Sequence, residues 1–160
     1  MLNTKYNSNS KKQKGFNLIE VMVSLVIFSI GLLGLAGLQQ VGLQQNTTAM
    51  QRTQAMSLAY DMLDRMRNNK TVDYSTAAWS LTAECITTAC TAAQMASADK
   101  GEWFMTVNNS FPNAYASITG SPTSYTVSIG WDEKRLGLVP TSCNPPTPTG
   151  IKCISIQGRP

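Results

Sequence analysis

Histidine is absent from all 160 residues, which removes the commonest general base and the commonest metal ligand. Charge is sparse, 14% of the chain, and none falls between Glu20 and Arg52. No nucleophile–histidine pair, phosphate-cradling glycine loop or metal-ligand triad can be assembled from what remains. An enzyme would lack its parts, so a structural or binding role without a cofactor is expected. The net charge of +4 suggests a nucleic-acid partner, but its distribution argues against one. The 13 Lys and Arg include Lys5, Lys11, Lys12 and Lys14 ahead of Gly15, and the nine that remain balance the nine Asp and Glu. Beyond Gly15 no basic cluster exceeds Lys134-Arg135, so nucleic acid is not an expected partner.

What the chain does have is one long apolar run. Val21 to Leu38 reads VMVSLVIFSIGLLGLAGL without a charge. As a helix these residues span about 27 Å, close to the roughly 30 Å hydrocarbon core of a bilayer. Lysines before the run keep that end in the cytoplasm. An ordinary secretory signal, with its cut after the small residues Gly34 and Ala36, and a plain single-pass anchor are the simpler readings. Neither explains Glu20, a carboxylate at the entrance of the apolar segment.

The order Lys-rich leader, Gly15-Phe16, Leu18-Ile19-Glu20 and apolar helix resembles the class III signal of type IV prepilins. Asn17 stands where the family usually has threonine. The resemblance implies cleavage after Gly15 by a prepilin peptidase and methylation of the new N-terminus, Phe16. It also implies that Glu20 docks on the positive N-terminus of a neighbouring subunit; the simpler alternative is a carboxylate reaching headgroup water. The run Ile30-Gly31-Leu32-Leu33-Gly34, together with Leu58 to Asn69 (LAYDMLDRMRNN), resembles the minor-pilin branch often named type IV pilus modification protein PilV. Gly31, Gly34 and Gly37 recur at three-residue steps, either for close helix packing or as a zone of helix flexibility where many pilins carry proline.

The helix is expected from Phe16 to about Asn69. Its second part is an amphipathic stripe of Ala55, Leu58, Ala59, Met62, Leu63 and Met66, with methionine as core. Trp103, Val107 and Phe111 predict a short helix ending at Pro112, with Asp99 and Glu102 near its start. Strands are predicted over Tyr115–Ile118 and Tyr125–Trp131, and a last one through Ile151, Cys153, Ser155 and Gln157. Asp132 to Leu138 reads as a solvated turn, and Trp79, Trp103 and Trp131 as core or subunit interface. The four cysteines allow three pairings. Cys85–Cys90 and Cys143–Cys153 are favoured because each pair brackets a turn-like loop on the oxidising side of the membrane. Zinc is disfavoured without Cys-x2-Cys spacing or histidine.

The expected architecture is α+β: a long N-terminal helix, membrane half plus amphipathic half, packed on a small antiparallel sheet. Residues 1–15 form the leader, 16–53 the transmembrane and protruding helix, and 54–160 a periplasmic head. The resemblance implies a minor pilin anchored in the inner membrane and then in the pilus. Its partners would be the peptidase, other major and minor pilins and the assembly platform. A pseudopilin of a type II secretion system shares this N-terminal machinery, and a pilus-tip adhesion or DNA-uptake module is the alternative of a different class.

Overall fold

The computed structural model describes residues 15–80, 85, 89–144 and 147–159; the expected leader lies almost wholly outside them. The fold is α+β. Helix α1 runs Leu18–Asn68 and α2 runs Ala92–Ser110, followed by strands β1 (Tyr115–Ser121), β2 (Ser124–Asp132) and β3 (Ile151–Gly158). The chain divides into two compact units, the first ending at Gln44 and the second beginning at Gln45.

Helix α1 starts two residues later than its pattern suggested. The Asn17 carbonyl accepts the N–H groups of Glu20 (2.9 Å) and Val21 (3.4 Å), leaving Phe16 outside the helix. At the far end Arg65 and Arg67 occupy the last turn, where cations complement the helix dipole. Asn69 N–H tightens that turn onto Met66 O at 3.2 Å. Within the second unit Ala55, Ala59, Met62, Leu63 and Met66 are all buried, while Met56 and Tyr60 face out. The three- and four-residue steps therefore lay one stripe of α1 into the core.

Helix α2 is longer than expected, because the signal that starts it sits in an Ala-rich stretch without periodic apolar residues. Thr91 and Gln94 form a capping box, each side chain bonded to the other's backbone N–H. Asp99 and Glu102, expected near the N-terminus, instead lie mid-helix and meet Arg65. That guanidinium reaches Asp61 at 3.0 Å, Asp99 at 3.2 Å and Glu102 at 2.8 Å. Burial alone would depress its pKa, but Glu102 and Asp61 hold it above the ordinary value. Ala96, Lys100, Trp103 and Val107 form the buried face of α2, and the Trp103 indole donates to Leu58 O of α1 at 2.8 Å.

The sheet is antiparallel in the order β1-β2-β3. Register pairs Ala116 with Ile129 and Ile118 with Val127 on one side, and Ile129 with Ile154 and Val127 with Ile156 on the other. Directly opposed residues share a face. The apolar face thus gathers these residues with Tyr125 and Trp131 into the same core as the α1 stripe. On the opposite face Ser128 and Ser155 share a hydrogen bond of 2.8 Å, and Gly130 lies across from Cys153. Cys143 is bonded to Cys153, and Cys85 to Cys90. Gly130 is what lets the first of these bridges lie flat on β2: a Cβ there would meet Cys153 Sγ at 2.9 Å and Cys143 Sγ at 3.2 Å.

Two features correct the sequence reading. Asp132 does not belong to a solvated turn: it is fully buried, and its Oδ2 accepts the N–H groups of Gly137 (2.7 Å) and Leu138 (3.1 Å). Burial opposes its charge, yet the N–H groups of Leu136, Leu138 and Gly137 hold its carboxyl below the usual range. The acidic side chain shapes the 133–138 loop from within. A tyrosine pair does similar work between the helices and the sheet. The Tyr125 hydroxyl accepts Tyr74 N–H (3.1 Å) and donates to Asp73 (3.0 Å), while the Tyr74 hydroxyl donates to Asp99 (2.9 Å). Burial, joined by Asp99, pushes Tyr74 up to about 12.

Two outcomes follow from this packing. Gly130→Ala forces a methyl group against the Cys143–Cys153 bridge and should destabilise the protein by about 1–3 kcal/mol. Denaturant titration of the full chain would read it, and the penalty should shrink when Cys143 and Cys153 are both serine; an equal penalty in both backgrounds would show that the bridge is not what the methyl meets. Tyr74→Phe should cost about 1 kcal/mol. The fold holds the neutral phenol, so that contribution is whole below pH 10 and fades as pH approaches 12. The variant should therefore show a shallower loss of stability across that alkaline range, measured by thermal melts in stepped buffers.

Candidate functional site

The first unit presents a helix surface, and its described residues leave that surface uncovered. From Gly15 to Gln44 every residue is exposed. An 18-residue window reaches a mean hydropathy of 2.5, and α1 is the one helix among the described residues long and apolar enough to cross a membrane. Apolar area of this extent is unfavourable in water and must be met by lipid or by another chain. The polar side chains inside the run are already satisfied: Ser24 donates to Glu20 O and Ser29 to Leu25 O, each at 2.7 Å. Such back-bonding lets a hydroxyl enter an apolar medium without an unmet donor.

Glu20 is the exception. It lies in the first helical turn, where a carboxylate suits the positive end of the dipole, but its side chain makes no hydrogen bond or ion pair among the described residues. Gly15, Phe16 and Asn17 lie outside regular structure, with Phe16 85% exposed, so the Gly15–Phe16 bond is not locked into helical hydrogen bonding. Gly31, Gly34, Gly37 and Gly42 are helical, and a Cβ at any of them would meet nothing within 4 Å. No neighbour in the chain requires their smallness. Each glycine costs roughly 1 kcal/mol of helix stability against alanine, and nothing in the unit offsets it.

The second unit holds a feature that the sequence did not signal. Lys100 is buried on the apolar face of α2, four residues after Ala96 and three before Trp103. Its ammonium donates to Tyr74 O at 2.9 Å and to Ala77 O. Burial lowers its pKa, with Asp73 acting in the opposite sense. Among the described residues no cluster of three acidic or sulfur ligands could hold a metal.

Comparison with protein families gives two adjoining matches. Residues 10–36 match the prokaryotic N-terminal methylation motif, and residues 37–100 match the family described as Type IV pilin Tt1218. Comparison with curated proteins and with solved structures gives no match. The first match spans the Gly15-Phe16 junction, Glu20 and the first two spaced glycines; the second spans the rest of α1 and the start of α2. Both point to the level of the pilin class rather than to its PilV branch. With its exposed apolar helix and its α+β fold, the chain is similar to type IV pilins over residues 37–100 and to the prokaryotic N-terminal methylation motif over residues 10–36.

Proposed function

We propose that the protein is a minor pilin of a type IV pilus, of the PilV-like branch, that initiates or modifies the fibre. Residues 1–15 are the leader, 16–53 carry membrane insertion and assembly, and 54–160 are the head on the periplasmic side. The observation that carries this reading is the apolar first half of α1, which the described residues leave uncovered, with a carboxylate at its start that has no partner among them. Prepilin peptidase removes the leader after Gly15 and methylates Phe16. The helix rests in the inner membrane until the assembly platform transfers it among other pilins. In the fibre the helix exchanges lipid for neighbouring helices, and Gly31, Gly34 and Gly37 either let backbones approach or let the helix stretch. A lone carboxylate within lipid costs about 2.5–3.5 kcal/mol at a helix centre and less near an end. The N-terminal ammonium of an adjacent subunit removes that cost, and at low dielectric the attraction fixes the axial register.

Intact-mass measurement of membrane-extracted protein should give a chain beginning at Phe16 with one added methyl group. A chain beginning at Gly37 would mean that an ordinary signal peptidase acts instead. Glu20→Ala should leave processing and insertion unchanged, since the run from Val21 to Leu38 drives partitioning, but should reduce the protein recovered in sheared pili. Glu20→Asp should fall between, keeping the charge with a shorter reach. Equal recovery of all three forms would remove Glu20 from the docking role. A deletion strain that loses pili while secretion persists would separate the minor-pilin reading from a secretion pseudopilin.

A further inference from the structure

Beside Lys100 lies a cavity of about 140 Å3, enclosed by Ser75, Trp79, Lys100, Trp103, Ala116 and Ile118. It sits between the segment that follows Tyr74, helix α2 and β1, which is an outer strand of the sheet. Among the described residues of its lining Lys100 is the one that carries a charge, and it is only 5% exposed. Among the described residues it forms no ion pair. The two carboxylates closest in the network are engaged elsewhere. Asp73 Oδ1 accepts from Ser75 N–H, the Ser75 hydroxyl and the Tyr125 hydroxyl, and Asp99 serves Arg65 and Tyr74.

We propose that this cavity binds the carboxylate of a small acid with a flat apolar body. An ammonium has three donors, and Lys100 spends two of them on the carbonyls of Tyr74 and Ala77. Asp73 acts on this buried cation only from beyond contact distance, and an anion on the third donor supplies a counter-charge in direct contact. A single cation suits a singly charged carboxylate, through a charge-assisted hydrogen bond, better than it suits a doubly charged phosphate. The rest of the lining is mixed: two indoles, Ala116 and Ile118 supply apolar walls, and Ser75 and Ser117 stand beside them. Cavities near 150 Å3 with apolar walls take up a benzene ring, so the body is of that size. Trp79 is half exposed and packs edge-on against Phe104, centroids 3.9 Å apart, which places a fixed aromatic wall at the mouth.

The test uses the full chain in detergent micelles, titrated with sodium benzoate, benzamide, sodium acetate and sodium chloride while the tryptophan indole N–H resonances are followed. Benzoate should give a saturable shift at Trp79 and Trp103. Benzamide, which keeps the ring but not the charge, and acetate, which keeps the charge but not the ring, should each bind roughly tenfold more weakly or worse. Lys100→Met should lose benzoate binding. Because that change also strips two carbonyls of their donor, Trp79→Ala is the second variant. It leaves the Lys100 bonds in place and should weaken binding severalfold, read at Trp103. Benzamide binding as well as benzoate would reduce the site to an apolar crevice, and equal effects of benzoate and chloride would overturn it altogether.

Discussion

The governing constraint is apolar helix surface that the described residues of the first unit leave uncovered. A helix can satisfy its own backbone, and Ser24 and Ser29 extend that self-sufficiency to the side chains of the run. It cannot bury its own outer face. The first unit therefore has two acceptable surroundings, lipid or like helices, and a protein that must pass from one to the other needs both to be tolerable. Aliphatic side chains are nearly indifferent between them. Selectivity has to come from the few residues that are not indifferent, which here are Glu20 and the glycines. A lone carboxylate is disfavoured in lipid, so any surroundings that offer it a cation would bias the exchange in one direction.

The second unit is held in another way. One stripe of α1, the buried face of α2 and one face of the sheet close a common core, and a second layer of polar links fastens the parts where apolar contact ends. Arg65 ties α1 to α2, Tyr74 and Tyr125 tie the segment after α1 to α2 and the sheet, and Asp132 folds a loop around its own carboxylate. Buried polar groups of this kind specify an arrangement as much as they stabilise it, because each has few geometries in which it is satisfied.

Much of this was legible in the residues alone. Three- and four-residue steps located the core stripe of α1, and alternation located β2 and β3; which face of β3 turns inward came only with the register that sets Ile154 and Ile156 opposite Ile129 and Val127. The prepilin junction was legible because four features fall in a fixed order. The start of α2 was harder to see. Its capping box lies in a Thr- and Ala-rich stretch where nothing periodic marks a helix, and the more visible Asp99 and Glu102 suggested an N-terminus in the wrong place. Asp132 and Lys100 were invisible for a common reason. Charged residues are read as solvated by default, and only tertiary structure reveals that backbone groups have replaced the water.

The bridge between Cys143 and Cys153 closes a loop with a sequence separation of 10 and anchors β3, the last strand, to the segment that precedes it. Consider the protein under tension, as a filament subunit attached to a surface would be. Load applied at the C-terminal tail would first peel β3 from β2, one ladder rung at a time, since an outer strand pulled from its end unzips. The covalent link interrupts that unzipping at Cys153. Past that point force passes through sulfur to Cys143, bypassing the intervening loop, and the slack that loop could release is withheld. Mechanical extension from that end is therefore capped at the few residues beyond the bridge until the rest of the fold yields as a whole.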